Sequence, residues 1–208
     1  ESNRALIMNA LSGNQFQLKN LSDARDTQTM QRLLSKKQPV WDVIDAGTTM
    51  RFCTAYLAIS GSGEIITGSD RMKERPIKPL VDALRRLGAK IDYLAQEGFP
   101  PLRISAKKNE LQAQKISIPG NISSQYISAL LMIGPTLADG ISIELTDEIF
   151  SRPYIEMTLA LMHHFGINST WKDQTIHIKP QPYKAQSYTI ESDWSGASYW
   201  YSMVALNQ

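Results

Sequence analysis

Cationic side chains crowd into one short segment of the sequence, SDRMKERPIKPL, at residues 69–80. Its four cationic residues are Arg71, Lys73, Arg75 and Lys78. The only acids there are Asp70 at the start and Glu74 among the cations, while the whole chain has a net charge of just +2. Arginine forms planar, bidentate contacts with phosphates and carboxylates. The segment therefore favours binding of a compact anion by Arg71, with Glu74 expected to orient the neighbouring cations.

Three further segments place small or hydroxyl-bearing residues where helices are predicted to begin. They are DAGTTMR at residues 45–51, GNISSQ at 120–125 and FSRPY at 150–154. The candidate residues at these helix starts are Gly47, Thr48, Thr49, Ser123, Ser124, Gln125 and Ser151. The unpaired N–H groups and the dipole of a helix start favour negative charge. An anion site where these starts meet is one interpretation, and ordinary turns and capping residues are the other.

Composition narrows the class of protein. A pI near 8.6 is too weakly basic for a protein that neutralises many nucleic-acid phosphates. The single cysteine, Cys53, excludes an internal disulfide and no Cys/His spacing resembles a zinc site, which favours a reducing, cytoplasmic location. No apolar run approaches the roughly 20 residues that cross a bilayer, and no signal peptide opens the chain. We therefore expect neither a nucleic-acid nor a membrane partner.

Helical and extended patterns alternate along the chain, which predicts an α/β (α+β) or split βαβ architecture. The predicted helices are 4–11, 23–34 with Asp23 as N-cap, one from Thr48, 76–87, one from Ser123, and 153–165. The predicted strands are 16–21, 40–44, 64–67, one around Ile91, 102–105, 141–145, 169–171 and 175–178. Arg71 is expected on a loop between a strand and the helix that begins at Pro76.

Two of these helices look like copies of one another. RPIKPLVDALRRLGA and RPYIEMTLALMHHFGI share Arg-Pro, helically spaced apolar residues and a closing glycine. Pro76 and Pro153 fit the first helical turn, and Gly88 and Gly166 fit the left-handed C-cap position. We expect three related βαβ-rich units, at about 1–45, 46–118 and 119–191, followed by a crossover at 192–208.

The segments DAGTTMR, GSDRMKERPIKPLVDALRRLGAKIDYL, GNISSQYISALLM, SRPYIEMTLALMHHFGI and ESDWSGASYW together resemble the 5-enolpyruvylshikimate-3-phosphate synthase family. ESNRALIMNAL is similar to the family's Lys-Ser-x-Ser-Asn-Arg helix, beginning just after the lysine and serine. The resemblance implies an enolpyruvyl transferase-like domain of three βαβαββ-type repeats. This domain would be one half of an inside-out α/β barrel-like protein, and the second domain would be its partner.

The resemblance also implies an activity, which is transfer of the enolpyruvyl group of phosphoenolpyruvate to the 5-hydroxyl of shikimate 3-phosphate. No metal or organic cofactor is expected, and the full-length protein is expected to be a monomer. The residues implied for shikimate 3-phosphate are Arg4, Ser123, Ser124, Gln125 and Ser151. Those implied for phosphoenolpyruvate are Gly47, Arg71 and Gln125. Tyr154 is expected to line the same pocket, and Arg51, Lys73, Glu74 and Arg75 to support it. No catalytic residue is assigned, so these 208 residues alone are not expected to turn over.

Some residues depart from the family pattern. Asp45 stands where the family usually has asparagine, and we expect it to pair with Arg51. Trp194 and Gly196 replace small residues, whereas Asp193 is retained at the expected crossover.

Three alternatives remain open at this point. The related UDP-N-acetylglucosamine enolpyruvyl transferases carry a reactive cysteine on a mobile loop, but Cys53 falls in a predicted helix, where a buried thiol is expected. Split βαβ units also form RNA-binding modules, against which stand the low overall charge and the lack of an aromatic stacking series. A non-catalytic phosphate-metabolite binding domain is the third.

Overall fold

The computed structural model describes residues 1–105, Leu111, 115–192 and 194–207, so Asp193 lies outside the described residues. In these ranges the chain has an α/β fold with eight α-helices and ten strands. The helices are α1 (Ser2–Leu11), α2 (Arg25–Leu34), α3 (Gly47–Ser60), α4 (Asp70–Lys73), α5 (Lys78–Arg86), α6 (Ser124–Ile133), α7 (Arg152–His164) and α8 (Trp194–Leu206). The strands are β1 (Gln17–Lys19), β2 (Val40–Asp42), β3 (Ser62–Thr67), β4 (Lys90–Tyr93), β5 (Leu102–Ser105), β6 (Lys115–Pro119), β7 (Ile141–Thr146), β8 (Ser169–Lys172), β9 (Thr175–Ile178) and β10 (Ser187–Thr189).

Two four-stranded sheets repeat the same topology. Their strand orders are β2-β3-β5-β4 and β6-β7-β9-β8. In each sheet the first two strands are parallel and joined through a helix, whereas the last two pair antiparallel to their neighbours. A two-stranded parallel sheet of β1 and β10 joins the first part of the chain to the last, with Leu18 opposite Tyr188. The unit boundaries at 1–45, 46–118 and 119–191, and the crossover from 192, stay a prediction.

Helices α3 and α6 occupy the interior, and the two four-stranded sheets lie outside them. Helix α6 buries nine of its ten residues and α3 buries eleven of its fourteen, because both are apolar on nearly every side. Strand β7 instead alternates between buried isoleucine or leucine and partly exposed Ser142, Glu144 and Thr146. One face of its sheet therefore packs on the helices and the other faces outward. None of the described helices combines the length and the apolar character needed to span a bilayer.

The structure corrects several predicted boundaries near the helix starts. Helix α2 begins at Arg25 with Ala24 as N-cap, so Asp23 is not the cap. Helix α5 begins at Lys78 with Pro79 in its first turn, because Pro76 still belongs to the preceding connection. Proline fits either position sterically, so the pattern alone did not separate them.

The segment around Arg71 is helical, and its prediction as a loop was wrong. Ser69 caps the short helix α4 by accepting a hydrogen bond from the Met72 backbone at 3.3 Å. Strands β6 and β10 were not predicted either. The closing glycines were predicted correctly, because Gly88 and Gly166 have φ values of 102° and 83°.

Candidate anion-binding site

The starts of α3 and α6 are in direct contact. The Gln125 side-chain amide donates a hydrogen bond to the Thr48 hydroxyl at 3.1 Å. Ser123 caps α6, with its hydroxyl accepting a hydrogen bond from the Gln125 backbone at 3.4 Å, and Ser124 is buried behind it. The structure therefore places two of the sequence-predicted helix starts side by side, with Gln125 between them.

Arg4 is a buried cation that hydroxyl groups hold in place. Its side chain is 8% exposed, and its guanidinium lies 5.4 Å from the centre of the Phe52 ring. Nε donates to the Thr158 hydroxyl at 2.7 Å, and Nη2 lies 3.4 Å from the Ser128 hydroxyl. Burial lowers the pKa of Arg4 from its ordinary value to about 10, whereas Tyr154 and Glu1 act to raise it. No carboxylate of the described residues forms an ion pair with this guanidinium.

A cavity of about 370 Å³ lies against Arg4. Its lining includes Ser2 of α1, Thr48 of α3, and Tyr154 and Met157 of α7. Because Thr48 also accepts the hydrogen bond from Gln125, that side chain lies at the edge of the same space. The cavity thus joins Arg4 to the starts of α3 and α6 and offers a ligand one guanidinium and several hydroxyl groups, while the carboxylates of Glu1 and Glu191 also line it.

A second cavity, of about 440 Å³, lies beside the start of α3. It is lined by Asp45, Arg71, Met72 and Arg75. The Arg75 guanidinium rests on Gly47 so closely that a Cβ at position 47 would lie 2.5 Å from Nη1 and 2.6 Å from Nη2. A side chain at this position would therefore displace the Arg75 guanidinium. The two arginines of the cavity exceed its single carboxylate, which suits an anion.

Arg51 braces the turn that carries Gly47. It donates hydrogen bonds to the Gly47 carbonyl at 3.1 Å and to the Pro76 carbonyl at 3.0 Å. Its guanidinium lies 5.7 Å from the centre of the Tyr126 ring, and the Tyr126 hydroxyl also donates to the Pro76 carbonyl, at 2.6 Å. Burial lowers the pKa of Arg51. Arg51 therefore ties the start of α3 to the chain that follows Arg75.

Two expected electrostatic partnerships are wrong. Asp45 accepts a hydrogen bond from the Ser69 hydroxyl instead of pairing with Arg51, which donates to the backbone carbonyls of Gly47 and Pro76. Glu74 makes no ion pair with any described residue, while Lys73 pairs with Asp70 at 3.0 Å. Glu74 therefore does not orient the neighbouring cations through an ion pair.

Ser151 and Tyr154 lie at the exposed start of α7. Ser151 has a left-handed backbone with φ of 53° and its hydroxyl makes no capping hydrogen bond, so the capping interpretation is wrong. It makes no hydrogen bond to Arg4 or Gln125, and its contact with a ligand stays a prediction. Tyr154 is 53% exposed and lines the cavity beside Arg4.

Sequence reasoning missed Ser128 and Thr158, the two partners of Arg4. Both are fully buried, on α6 and α7. The signal that points to them is a hydroxyl residue inside an otherwise apolar helical face, at ISALLM and MTLALM. Helical periodicity alone does not show which buried cation such a hydroxyl would meet.

Cys53 is a structural thiol. It is completely buried in α3, its Sγ lies 3.6 Å from Sδ of Met30, and burial raises its pKa. A nucleophilic cysteine requires an accessible thiolate, which this environment disfavours. The alternative with a reactive loop cysteine therefore has no candidate at Cys53.

The chain is similar to known proteins along nearly its whole length. The chain is 55% identical over 207 residues to a 3-phosphoshikimate 1-carboxyvinyltransferase of Bacteroides fragilis strain YCH46, a match that covers 99% of this chain and 50% of the relative. It is 38% identical over 237 residues to the protein of that name from Histophilus somni strain 2336, covering 99% and 54%. This chain therefore spans about half the length of these relatives.

The fold matches a solved structure as well. An EPSP synthase from Acinetobacter baumannii aligns with a TM-score of 0.79 at 16% identity, covering 95% of this chain and 49% of that one. The sequence profile of the family described as EPSP synthase (3-phosphoshikimate 1-carboxyvinyltransferase) matches residues 31–208. The chain therefore belongs to the EPSP synthase family.

Proposed function

We propose that this chain is the half of a 3-phosphoshikimate 1-carboxyvinyltransferase that holds the two anionic substrates. The complete enzyme would transfer the enolpyruvyl group of phosphoenolpyruvate to the 5-hydroxyl of shikimate 3-phosphate. Shikimate 3-phosphate would contact Arg4, Ser123, Ser124, Gln125 and Ser151. Phosphoenolpyruvate would contact Gly47, Arg71 and Gln125.

The observation that carries the proposal is the Gln125–Thr48 hydrogen bond between two cavities, each of which is lined by at least one arginine. Thr48 borders the cavity of Arg4, and its neighbour Gly47 lies under the guanidinium of Arg75 in the cavity of Arg71. Two anions bound side by side repel each other, so their cations must be fixed before they arrive. Gln125 stands where it would touch both ligands.

The chemistry has two balanced steps. The 5-hydroxyl oxygen bonds to C2 of phosphoenolpyruvate while the hydroxyl loses its proton and the methylene carbon gains one, giving a tetrahedral adduct. The adduct then loses a methyl proton, and its C–O bond to phosphate breaks to release inorganic phosphate. The residues described here supply positioning and charge compensation. We assign none of them the proton transfers, so we expect the 208 residues alone to bind without turning over.

Titration calorimetry of the purified chain tests the proposal, with shikimate as the matched ligand that lacks the phosphate. We expect shikimate 3-phosphate to bind weakly and shikimate more weakly still by about tenfold, because a phosphate adds charge-assisted hydrogen bonds. A phosphate-release assay with both substrates is expected to show no turnover. Equal affinity for the two ligands would contradict the assignment of the site, and full turnover would refute the division of the active site between two halves.

The remaining expectations are proposals of the same kind. They comprise a cytoplasmic location, a monomeric full-length protein, no cofactor, and no nucleic-acid or membrane partner. RNA binding with a steep dependence on salt concentration would instead support the RNA-binding alternative.

A further inference from the structure

Three helices meet at the guanidinium of Arg4. Arg4 lies on α1, Ser128 on α6 and Thr158 on α7, and the two hydroxyl oxygens are 2.9 Å apart. Both hydroxyl residues are completely buried. The cluster is therefore a fixed internal arrangement, not a set of mobile surface side chains.

The hydrogen atoms of this cluster can be placed consistently. The Thr158 hydroxyl donates to the Tyr154 carbonyl at 2.8 Å, so it accepts from Nε of Arg4 and from Ser128. Ser128 has then donated its only hydrogen and accepts from Nη2 of Arg4. Each hydroxyl therefore donates one hydrogen bond and accepts one from the Arg4 guanidinium, and every hydroxyl hydrogen has an acceptor.

The partners of Arg4 are neutral, and this distinguishes them from an ordinary buried ion pair. Two hydroxyls orient the plane of the guanidinium but do not cancel its charge, as a carboxylate would. Nη1 makes no hydrogen bond to a described residue, and Arg4 lines the cavity of about 370 Å³. An arginine held on one edge in this way presents its other edge to an anion, and Glu1, a carboxylate that also lines the cavity, interacts with it electrostatically.

We propose that Ser128 and Thr158 are positioning residues that fix the guanidinium of Arg4 for an anionic ligand without forming an ion pair with it. The inference rests on the proposed function for the identity of the ligand, shikimate 3-phosphate. It goes further in assigning a role to two residues that do not touch the cavity themselves. The Arg4 side chain loses its conformational entropy during folding, so less rotational freedom is lost when the ligand binds.

Thr158→Val tests the proposal because valine keeps the shape of threonine and removes the hydroxyl. The matched control is Thr54→Val, since Thr54 is equally buried and its hydroxyl also donates to the carbonyl four residues earlier, that of Met50, at 2.7 Å. We expect Thr158→Val to weaken shikimate 3-phosphate binding by about tenfold and Thr54→Val by less than about twofold. Thr158→Ser is expected to restore most of the affinity, and Ser128→Ala to lose about threefold.

A ligand-free measurement separates this proposal from the proposed function. The Nε–H signal of Arg4 in ¹⁵N NMR, assigned by its absence in Arg4→Lys, is expected to exchange slowly with water and to lose that protection in Thr158→Val but not in Thr54→Val. If the parent chain does not bind shikimate 3-phosphate, the proposed function fails, and the NMR result still decides whether the hydroxyls fix Arg4. Unchanged Nε–H protection in Thr158→Val, or unchanged affinity in both Thr158→Val and Ser128→Ala, would overturn the positioning role.

Discussion

The side-chain amide of Gln125 donates a hydrogen bond to the Thr48 hydroxyl at 3.1 Å, although 77 positions separate the two residues in sequence. Both lie in the first turn of a long helix, where unpaired N–H groups carry partial positive charge. Two such ends repel each other slightly, and a bound anion between them would relieve that repulsion. The contact therefore holds together a pair of helix starts that is suited to an anion.

Thr48→Val is expected to weaken shikimate 3-phosphate binding by about threefold to tenfold, because the Gln125 amide loses the partner that orients it. Thr49→Val is the control, since the Thr49 hydroxyl turns away from the cavities to the Asp26 carbonyl at 3.3 Å. Calorimetric titration compares the two variants. Equal losses of affinity in both would show that the hydrogen bond to Gln125 has no special role.

Local sequence patterns predicted most of the fold. Amphipathic periodicity, proline near a helix start and glycine at a helix end are local signals, so α7 and its closing Gly166 followed from a few neighbouring residues. Short elements were predicted less well: β10 has three residues and is stabilised by pairing with β1, far away in sequence. Such strands form only because they pair with a strand that is distant in sequence, and local sequence patterns do not reveal that pairing.

The candidate site likewise has features that local sequence signals predicted and contacts that they did not predict. The helix starts at Gly47 and Ser123 were visible because glycine and serine have local reasons to be there. The contact of Arg75 with Gly47, the bracing of the turn by Arg51 and the hydroxyls around Arg4 are all long-range contacts. The same limit explains the error at Asp45, since Ser69, which bonds it, lies on another element.

Gly47→Ala is expected to weaken phosphoenolpyruvate binding by about tenfold or more while changing thermal stability little. The new methyl group would meet the end of the Arg75 side chain, which is flexible and moves away at low cost. Gly68→Ala is the contrasting variant, because its Cβ would lie 2.5 Å from the backbone oxygen of Ile44, which does not move easily. Thermal denaturation is therefore expected to show a clear loss of stability for Gly68→Ala alone, and a large loss in Gly47→Ala would contradict this account.

Arg4→Met is expected to abolish shikimate 3-phosphate binding without loss of stability. Burial lowers the pKa of Arg4 to about 10, so the unfolded chain holds this proton more tightly than the folded chain. The cost to stability is fully present below that pKa and is relieved only as the pH rises above about 10. At neutral pH, methionine removes this cost, and Ser128 and Thr158 retain their bond to each other.

Urea denaturation at pH 7 measures this effect. We expect the free energy of unfolding of Arg4→Met to equal that of the parent or to exceed it by about 1 kcal/mol. The parent chain should gain stability when shikimate 3-phosphate is added, whereas Arg4→Met should not. A loss of about 3 kcal/mol in the variant would show that the hydroxyl and ring contacts of Arg4 outweigh its burial cost.

The thiol of Cys53 is expected to resist modification by a disulfide reagent at pH 8 as long as the chain is folded. Burial raises its pKa, and the thiolate is the reactive form. The rate of modification should then follow unfolding and become fast in concentrated guanidinium chloride, which serves as the positive control. Rapid reaction of the native chain would reopen the alternative of an enolpyruvyl transferase with a nucleophilic cysteine.

Arg71→Ala is expected to weaken phosphoenolpyruvate binding in the presence of shikimate 3-phosphate by about tenfold, because a charge-assisted contact to the ligand is lost. Arg71 is exposed, lines a cavity with Asp45 and Arg75, and forms no ion pair with a described residue, so stability should not change. Arg71→Lys should recover only part of the affinity, since an ammonium group does not form the bidentate contact of a guanidinium.

Arg86→Ala is the matched control, because it also removes one exposed positive charge from the cation-rich segment 71–90, which extends beyond residues 69–80. Arg86 lies in the last turn of α5, and its Nη1 is 3.5 Å from the Ser117 carbonyl, outside the cavity that Arg71 lines. Salt screens exposed charges beyond about 8–10 Å, so a loss confined to Arg71→Ala at physiological ionic strength indicates direct contact with the ligand. Equal losses in the two variants, both abolished by added salt, would instead mean that the segment attracts anions through its overall charge and that Arg71 is not a binding residue.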